Sequence, residues 1–136
     1  MTINYEHLNT FCHRVIAADN TIRWAGIVNK NGIILAQQKR PELHLLLSDE
    51  ENEDYAATAI ARQKTRSKFE GKIGKMLYAF GSYEKLLRAT IPIEGNYFLL
   101  VTIDVENREF DNIIMNQLLP LIEKDRSKFR SMDDSI

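Results

Sequence analysis

The chain has 136 residues, 44% of them hydrophobic and 27% charged, with a formal net charge of −1; these are the values of one ordinary globular domain and exclude disordered, collagen-like and coiled-coil classes. So small a net charge supplies no global field for nucleic acid or an anionic membrane, and any such partner would need a local patch. Cys12 is the only cysteine, which excludes an intramolecular disulfide or a thiolate metal cluster within one chain. It fits a reducing cytoplasm.

Tyr5, Leu8, Phe11, Cys12, Val15 and Ile16 recur at spacings of three and four and predict a first amphipathic helix ended by Asp19 and Asn20. The N-terminal MTINYEHLNTF is neither basic nor apolar, and no run of about 18 apolar residues occurs, so the expectation is a soluble cytoplasmic protein with no membrane partner. Ile22 to Val28 and Ile33 to Gln37 read as strands joined at Asn31-Gly32, a pair that readily adopts positive φ in a two-residue hairpin turn. Lys39-Arg40-Pro41 breaks the second strand, and His44 to Leu47 reads as a connector. Ser48 followed by Glu51 matches a capping box and opens a long helix from Asp49 to about Phe69 or Ile73. Tyr55, Ala56, Ala59 and Ile60 give that helix a small-residue face, a possible dimer contact.

Met76 to Phe80, Leu86 to Ile93 and Tyr97 to Ile103 predict three further strands, with turns at Gly81-Ser82-Tyr83 and Glu94-Gly95-Asn96. Links so short make consecutive strands antiparallel. Phe110, Ile113, Ile114, Leu118, Leu121 and Ile122 then restore a helical period, with Pro120 as a kink. The tail from residue 131 to residue 136 has nothing to bury and is expected to fray, leaving residues 1–130 as one α/β domain of α+β type. Its sheet is expected to be antiparallel and five-stranded in the order 2-1-5-4-3, with one long helix between strands 2 and 3 and helices at both termini.

No residue constellation performs chemistry. His7 and His13 lie six apart, about 240° around a helix, and cannot share a metal; His44 stands alone, and all three read as surface histidines. Cys12 on an apolar stripe reads as an inert core thiol. Gly71-Lys72-Ile73-Gly74-Lys75 lacks the spacing and the Ser or Thr of a phosphate loop. Asp104, Glu106, Glu109 and Asp111 look like a carboxylate site but suit a helix start equally well. Trp24 reads as core, with Tyr97 as a companion lining a ligand pocket or a dimer contact if the sheet has an open face. The reading is therefore of no catalytic residues, no metal, no cofactor and no enzyme.

The strongest functional hint is basic. Arg62, Lys64, Arg66, Lys68, Lys72 and Lys75 face only Glu70 over that stretch, a local net charge of +5 in a near-neutral chain. Dipole matching at the helix C-terminus accounts for such a cluster; the functional reading is a docking surface for an acidic protein partner, a phosphate-bearing ligand or nucleic acid, with the protein partner favoured. Nucleic acid is disfavoured, because the bases are not regularly interleaved with aromatics to stack on.

The order helix, two strands, long helix, three strands, helix resembles the roadblock/dynein light chain family and, more loosely, profilin-like and longin-like domains. Ile22 to Gln37 around Asn31-Gly32, the alanine-rich Tyr55 to Ala61, and Leu86 to Ile103 around Gly95 carry the resemblance. It implies an antiparallel sheet, pairing of two subunits edge to edge or through the long helix, and a platform role toward small GTPases or motor and membrane complexes. The expected function is a non-catalytic interaction module, a homodimer or complex subunit. The alternative is a small-ligand sensor of PAS or profilin-like type, in which Trp24, Phe98, Leu100 and Phe110 would have to leave room for a ligand.

Overall fold

The computed structural model describes residues 3–133. Helix α1, Tyr5–Ala18, begins where the Asn4 side chain accepts the His7 N–H at 3.0 Å. At its other end Arg40 donates to the carbonyls of Ile16 and Asp19, each at 2.7 Å, and to Ile22 at 3.0 Å. A cation there satisfies orphan carbonyls and meets the negative end of the helix dipole.

Strands β1, Ile22–Asn29, and β2, Ile34–Lys39, form the expected hairpin. The turn differs from the two-residue form that Asn-Gly suggests. Within the turn only Gly32 has positive φ, +79°, and no described non-glycine residue does. Gly32 donates to Asn29 O and Asn29 to Ile33 O, both at 3.0 Å, closing a three-residue loop with a left-handed final residue. The Asn29 side chain decides the outcome by accepting the Asn31 and Ile33 amides at 2.9 and 3.1 Å. It does the work a second positive φ would have done.

Helix α2, Asp49–Arg66, opens with the predicted capping box: Ser48 and Glu51 exchange backbone-to-side-chain bonds at 3.0 and 3.2 Å. It passes through a 3-10 turn at Ser67–Phe69 into a short helix α3, Glu70–Ile73, ended by Gly74 at φ +91°. Strand β3, Ala79–Ser82, starts three residues later than expected, because the Met76 N–H donates to Glu70 Oε2 at 2.8 Å and not to a ladder. β4, Leu87–Glu94, and β5, Tyr97–Ile103, follow. The sheet is five-stranded and antiparallel, in the order β2-β1-β5-β4-β3.

The last helical region is α4, Phe110–Ile113, a π-helical turn, Ile114–Leu118, and α5, Leu119–Asp133. Pro120 was expected to kink a continuous helix; instead the wide turn, in which Leu119 N–H bonds Ile114 O, absorbs the irregularity just before it. The tail expectation is also corrected for the residues described. α5 continues to Asp133, and Met132 is buried among Leu8, Phe11 and Phe129. Residues 134–136 lie outside the described chain.

Strand alternation divides the core. Ala25, Ile27, Ile91, Leu99 and Val101 face α1 and α5, while Trp24, Val28 and Leu100 face α2. Phe110, expected beside Trp24, lies with the first group and stacks on Phe80 with centroids 3.7 Å apart.

Gly32 also carries the seat of α2, since a Cβ there would lie 2.8 Å from the Ala57 Cα. Gly32→Ala, strained in φ and blocked by backbone, should cost about 2 kcal/mol. Gly71→Ala, with no heavy atom within 4 Å of the new Cβ, should add up to about 1 kcal/mol. Opposite shifts of the two urea midpoints check the assignment.

Candidate interaction surface

The small residues of α2 face inward. Tyr55, Ala56, Ala59 and Ile60 are at most 8% exposed and pack on Trp24, Val28 and Leu100. Their expected role as a dimer contact is therefore corrected: their side chains meet the chain's own sheet. Alanines are required because the indole fills the space leucines would take. Trp24 lies over Gly26, whose hypothetical Cβ would stand 2.6 Å from the ring, and its Nε1 donates to Gln37 Oε1 at 3.0 Å.

The outward surface of α2 is charged in order. Glu50, Asp54, Thr58, Arg62 and Arg66 follow at steps of four and are all exposed; each step turns about 40° around the helix, so the stripe winds about 160° from an acidic start to a basic end. None of its four charges is in an ion pair among the described residues.

The six predicted bases, all exposed, do not share one surface. Arg62 and Arg66 border a shallow cleft of about 60 Å³ against β3, together with Tyr83 and Arg88. Arg88 stacks 3.8 Å from the Tyr55 ring centre, a cation–π contact, and its Nε is buried with no hydrogen-bond partner among the described residues. Burial pushes the Tyr55 hydroxyl up to about 12, against the pull of Arg88. Lys64 and Lys75 instead rim a cleft of about 460 Å³ on the other flank of α2, with Lys30. Lys68 and Lys72 line neither. Beyond α2, β3 pairs only with β4 among the described strands. Phe69, Ile73 and Leu77 stand 59, 82 and 60% exposed.

The remaining candidates are structural. Cys12 is fully buried, and burial pushes its thiol up to about 12. Trp24 and Tyr97 are both buried, so neither lines an open face. The acids from Asp104 to Asp111 are dispersed: Asp104 binds Arg23 at 2.6 Å, and Asp111 accepts the Tyr78 hydroxyl at 2.7 Å. Among the described residues no three His, Cys, Asp or Glu side chains are grouped to hold a metal. No described helix is long and apolar enough to cross a membrane.

No protein-family model and no curated protein matches the chain. Solved structures match throughout. MglB of Myxococcus xanthus superposes with a TM-score of 0.76 at 13% identity, covering 97% of this chain and 94% of that one. A roadblock/LC7 domain from Streptomyces avermitilis gives 0.71 at 11%, covering 90 and 98%. A structure described as MglB with a tetrameric arrangement gives 0.77 at 10%, covering 100 and 97%. The fold is thus that of the roadblock/LC7 domains.

Sequence reasoning missed one buried polar cluster. His7, read as a surface residue, has its side chain only 10% exposed, 3.7 Å from Asp125 Oδ2 and 5.4 Å from the Phe129 ring centre. Arg14 reaches the same oxygen at 3.6 Å. His13 and His44 are exposed as expected. The signal in the sequence was weak, because His7 flanks the apolar stripe one residue before Leu8. Burial holds His7 below its ordinary 6.5, Asp125 pulls the other way, and Lys128 and Arg14 add to the effect of burial. The unfolded chain therefore binds more protons just below 6.5, so this contribution to stability is complete above 6.5 and declines as pH falls beneath it. Glu51 and Glu94, held low by Ser48 and Arg126, lose theirs only in the carboxylate range. His7→Gln should flatten the denaturant midpoint between about pH 7 and 5 and leave the acid limb in place.

Proposed function

We propose that this chain is a non-catalytic interaction module that works as a homodimer, with the outward stripe of α2 and the free edge of β3 as the contact. The stripe carries the reading. It is complementary to itself: if two α2 helices cross antiparallel about a two-fold axis near Thr58, Asp54 of each copy comes opposite Arg62 of the other, with Glu50 and Arg66 at the two flanks of the contact. A two-fold contact repeats every such pair, so charges with no ion-pair partner among the described residues of one chain gain one across the contact. Thr58, with its hydroxyl bonded back to Asp54 O at 3.0 Å, is small enough at the axis for close approach. The neighbouring edge of β3 offers unpaired backbone groups that a second copy of the same edge would satisfy. The roadblock/LC7 fold and the tetrameric arrangement named for one MglB structure support assembly as the role.

Sedimentation at about 10 µM should show a species near twice 15.7 kDa, weakening as salt rises. Arg62→Glu with Arg66→Glu sets like charges opposite and should weaken association at least about tenfold. Adding Glu50→Arg and Asp54→Arg reverses every sign and should restore it. A wild-type monomer, or a quadruple variant no tighter than the double, would overturn the reading.

A further inference from the structure

The cleft on the Lys64 flank of α2 has a different character from the surface proposed for self-association. It lies where β4 runs on past the short β3, which pairs only as far as Ala79 with Thr90, leaving β4 from Ile91 to Glu94 without a strand partner on that side among the described residues. Ile60, Met76, Pro92 and Phe98 give it an apolar lining. Its volume, about 460 Å³, falls within the range of small-ligand sites.

The charges around it do not cancel. Of the lining acids, Glu94 is held by Arg126 at 3.0 Å and Arg130 at 3.3 Å, and Glu70 accepts the Met76 N–H at 2.8 Å. Lys30, Lys64 and Lys75 have no ion-pair partner among the described residues. An apolar trough rimmed by three unpaired ammonium groups matches an apolar body bearing an anion. A third feature narrows the chemistry. Gln63 lines the cleft, is only 6% exposed, and has its Oε1 buried without a hydrogen-bond partner among the described residues. Such an acceptor in the wall of the cleft carries a standing desolvation cost, which a ligand N–H donor meeting the Gln63 amide would reduce.

We infer that this cleft binds an N-acylated apolar amino-acid carboxylate: the side chain enters the trough, the amide N–H meets Gln63, and the carboxylate lies among Lys64, Lys75 and Lys30. The same chemistry belongs to the C-terminal residue of a peptide and to a free N-acyl amino acid. The site is independent of the dimer, because Lys64 projects from the side of α2 opposite Arg62 and Arg66 and the two clefts share no lining residue.

The test is an NMR titration of the labelled chain with N-acetylphenylalanine, its neutral amide, and a six-residue peptide ending in phenylalanine. The acid should shift the amides of Gln63, Lys64 and Phe98 and bind at least about tenfold tighter than the neutral amide, the scale of a charge-assisted hydrogen bond. Lys64→Gln with Lys75→Gln, both exposed and so not expected to disturb folding, should lose about the same factor. Arg62→Gln with Arg66→Gln should keep the affinity whatever happens to its sedimentation, which separates this inference from the dimer. A peptide that binds much tighter than the single residue identifies a protein terminus as the source; equal affinity identifies a small molecule. Equal binding of acid and neutral amide, an unaffected lysine variant, or no shifts up to about 10 mM would overturn the inference.

Discussion

The arrangement depends on one tryptophan lying flat between a sheet and a helix. Trp24 covers Gly26 on β1 and is covered in turn by Ala56, Ala59 and Ile60 of α2. A large ring inside demands small neighbours on both sides, a glycine in the strand and alanines in the helix, as close packing requires. Because two of the six buried side chains of α2 are alanines and two are polar, little of that helix's stability comes from its own apolar stripe. Its place is set by Trp24 and by Gly32 beneath Ala57.

That economy leaves the rest of α2 free for surface chemistry. Six buried side chains suffice to hold eighteen residues, and the outer positions carry charges that no described residue neutralises. Two flanks result. One sets Arg62 and Arg66 beside a free strand edge, and the other sets Lys64 beside an apolar trough. A run of bases that looks uniform in sequence is divided by the 100° step of the helix into surfaces that face different ways.

The opposite side of the sheet is organised by buried polar clamps. Arg40 closes the end of α1, Arg126 ties α5 to Ile93 O and Glu94, and Asp125 sits between His7 and Arg14. Each clamp joins elements distant in sequence, so the two helices packed there are fixed by the hydrogen bonds of Arg40 and Arg126 and by the charge contacts of Asp125, as well as by the apolar core of Leu8, Phe11, Leu118 and Phe129.

Local chemistry sufficed wherever a feature is decided within a few residues. The capping box of Ser48 and Glu51, the apolar run from Tyr97 to Ile103 and the three-to-four spacing of α1 were legible in the sequence, and short links made β1–β2 and β3–β4–β5 antiparallel neighbours; the pairing of β1 with β5 that joins the two sets is long-range. Where the answer depends on what lies across the fold, the sequence was silent. Whether Ala56 and Ala59 face in or out, whether His7 is buried, and which lysines share a cleft depend on neighbours many residues away. Even the hairpin turn escaped prediction from Asn31-Gly32, since the side chain of Asn29 competed for its amides. Periodicity records that a residue belongs on a face; only tertiary packing decides what that face meets, because burial and charge compensation are properties of pairs that the chain brings together by folding.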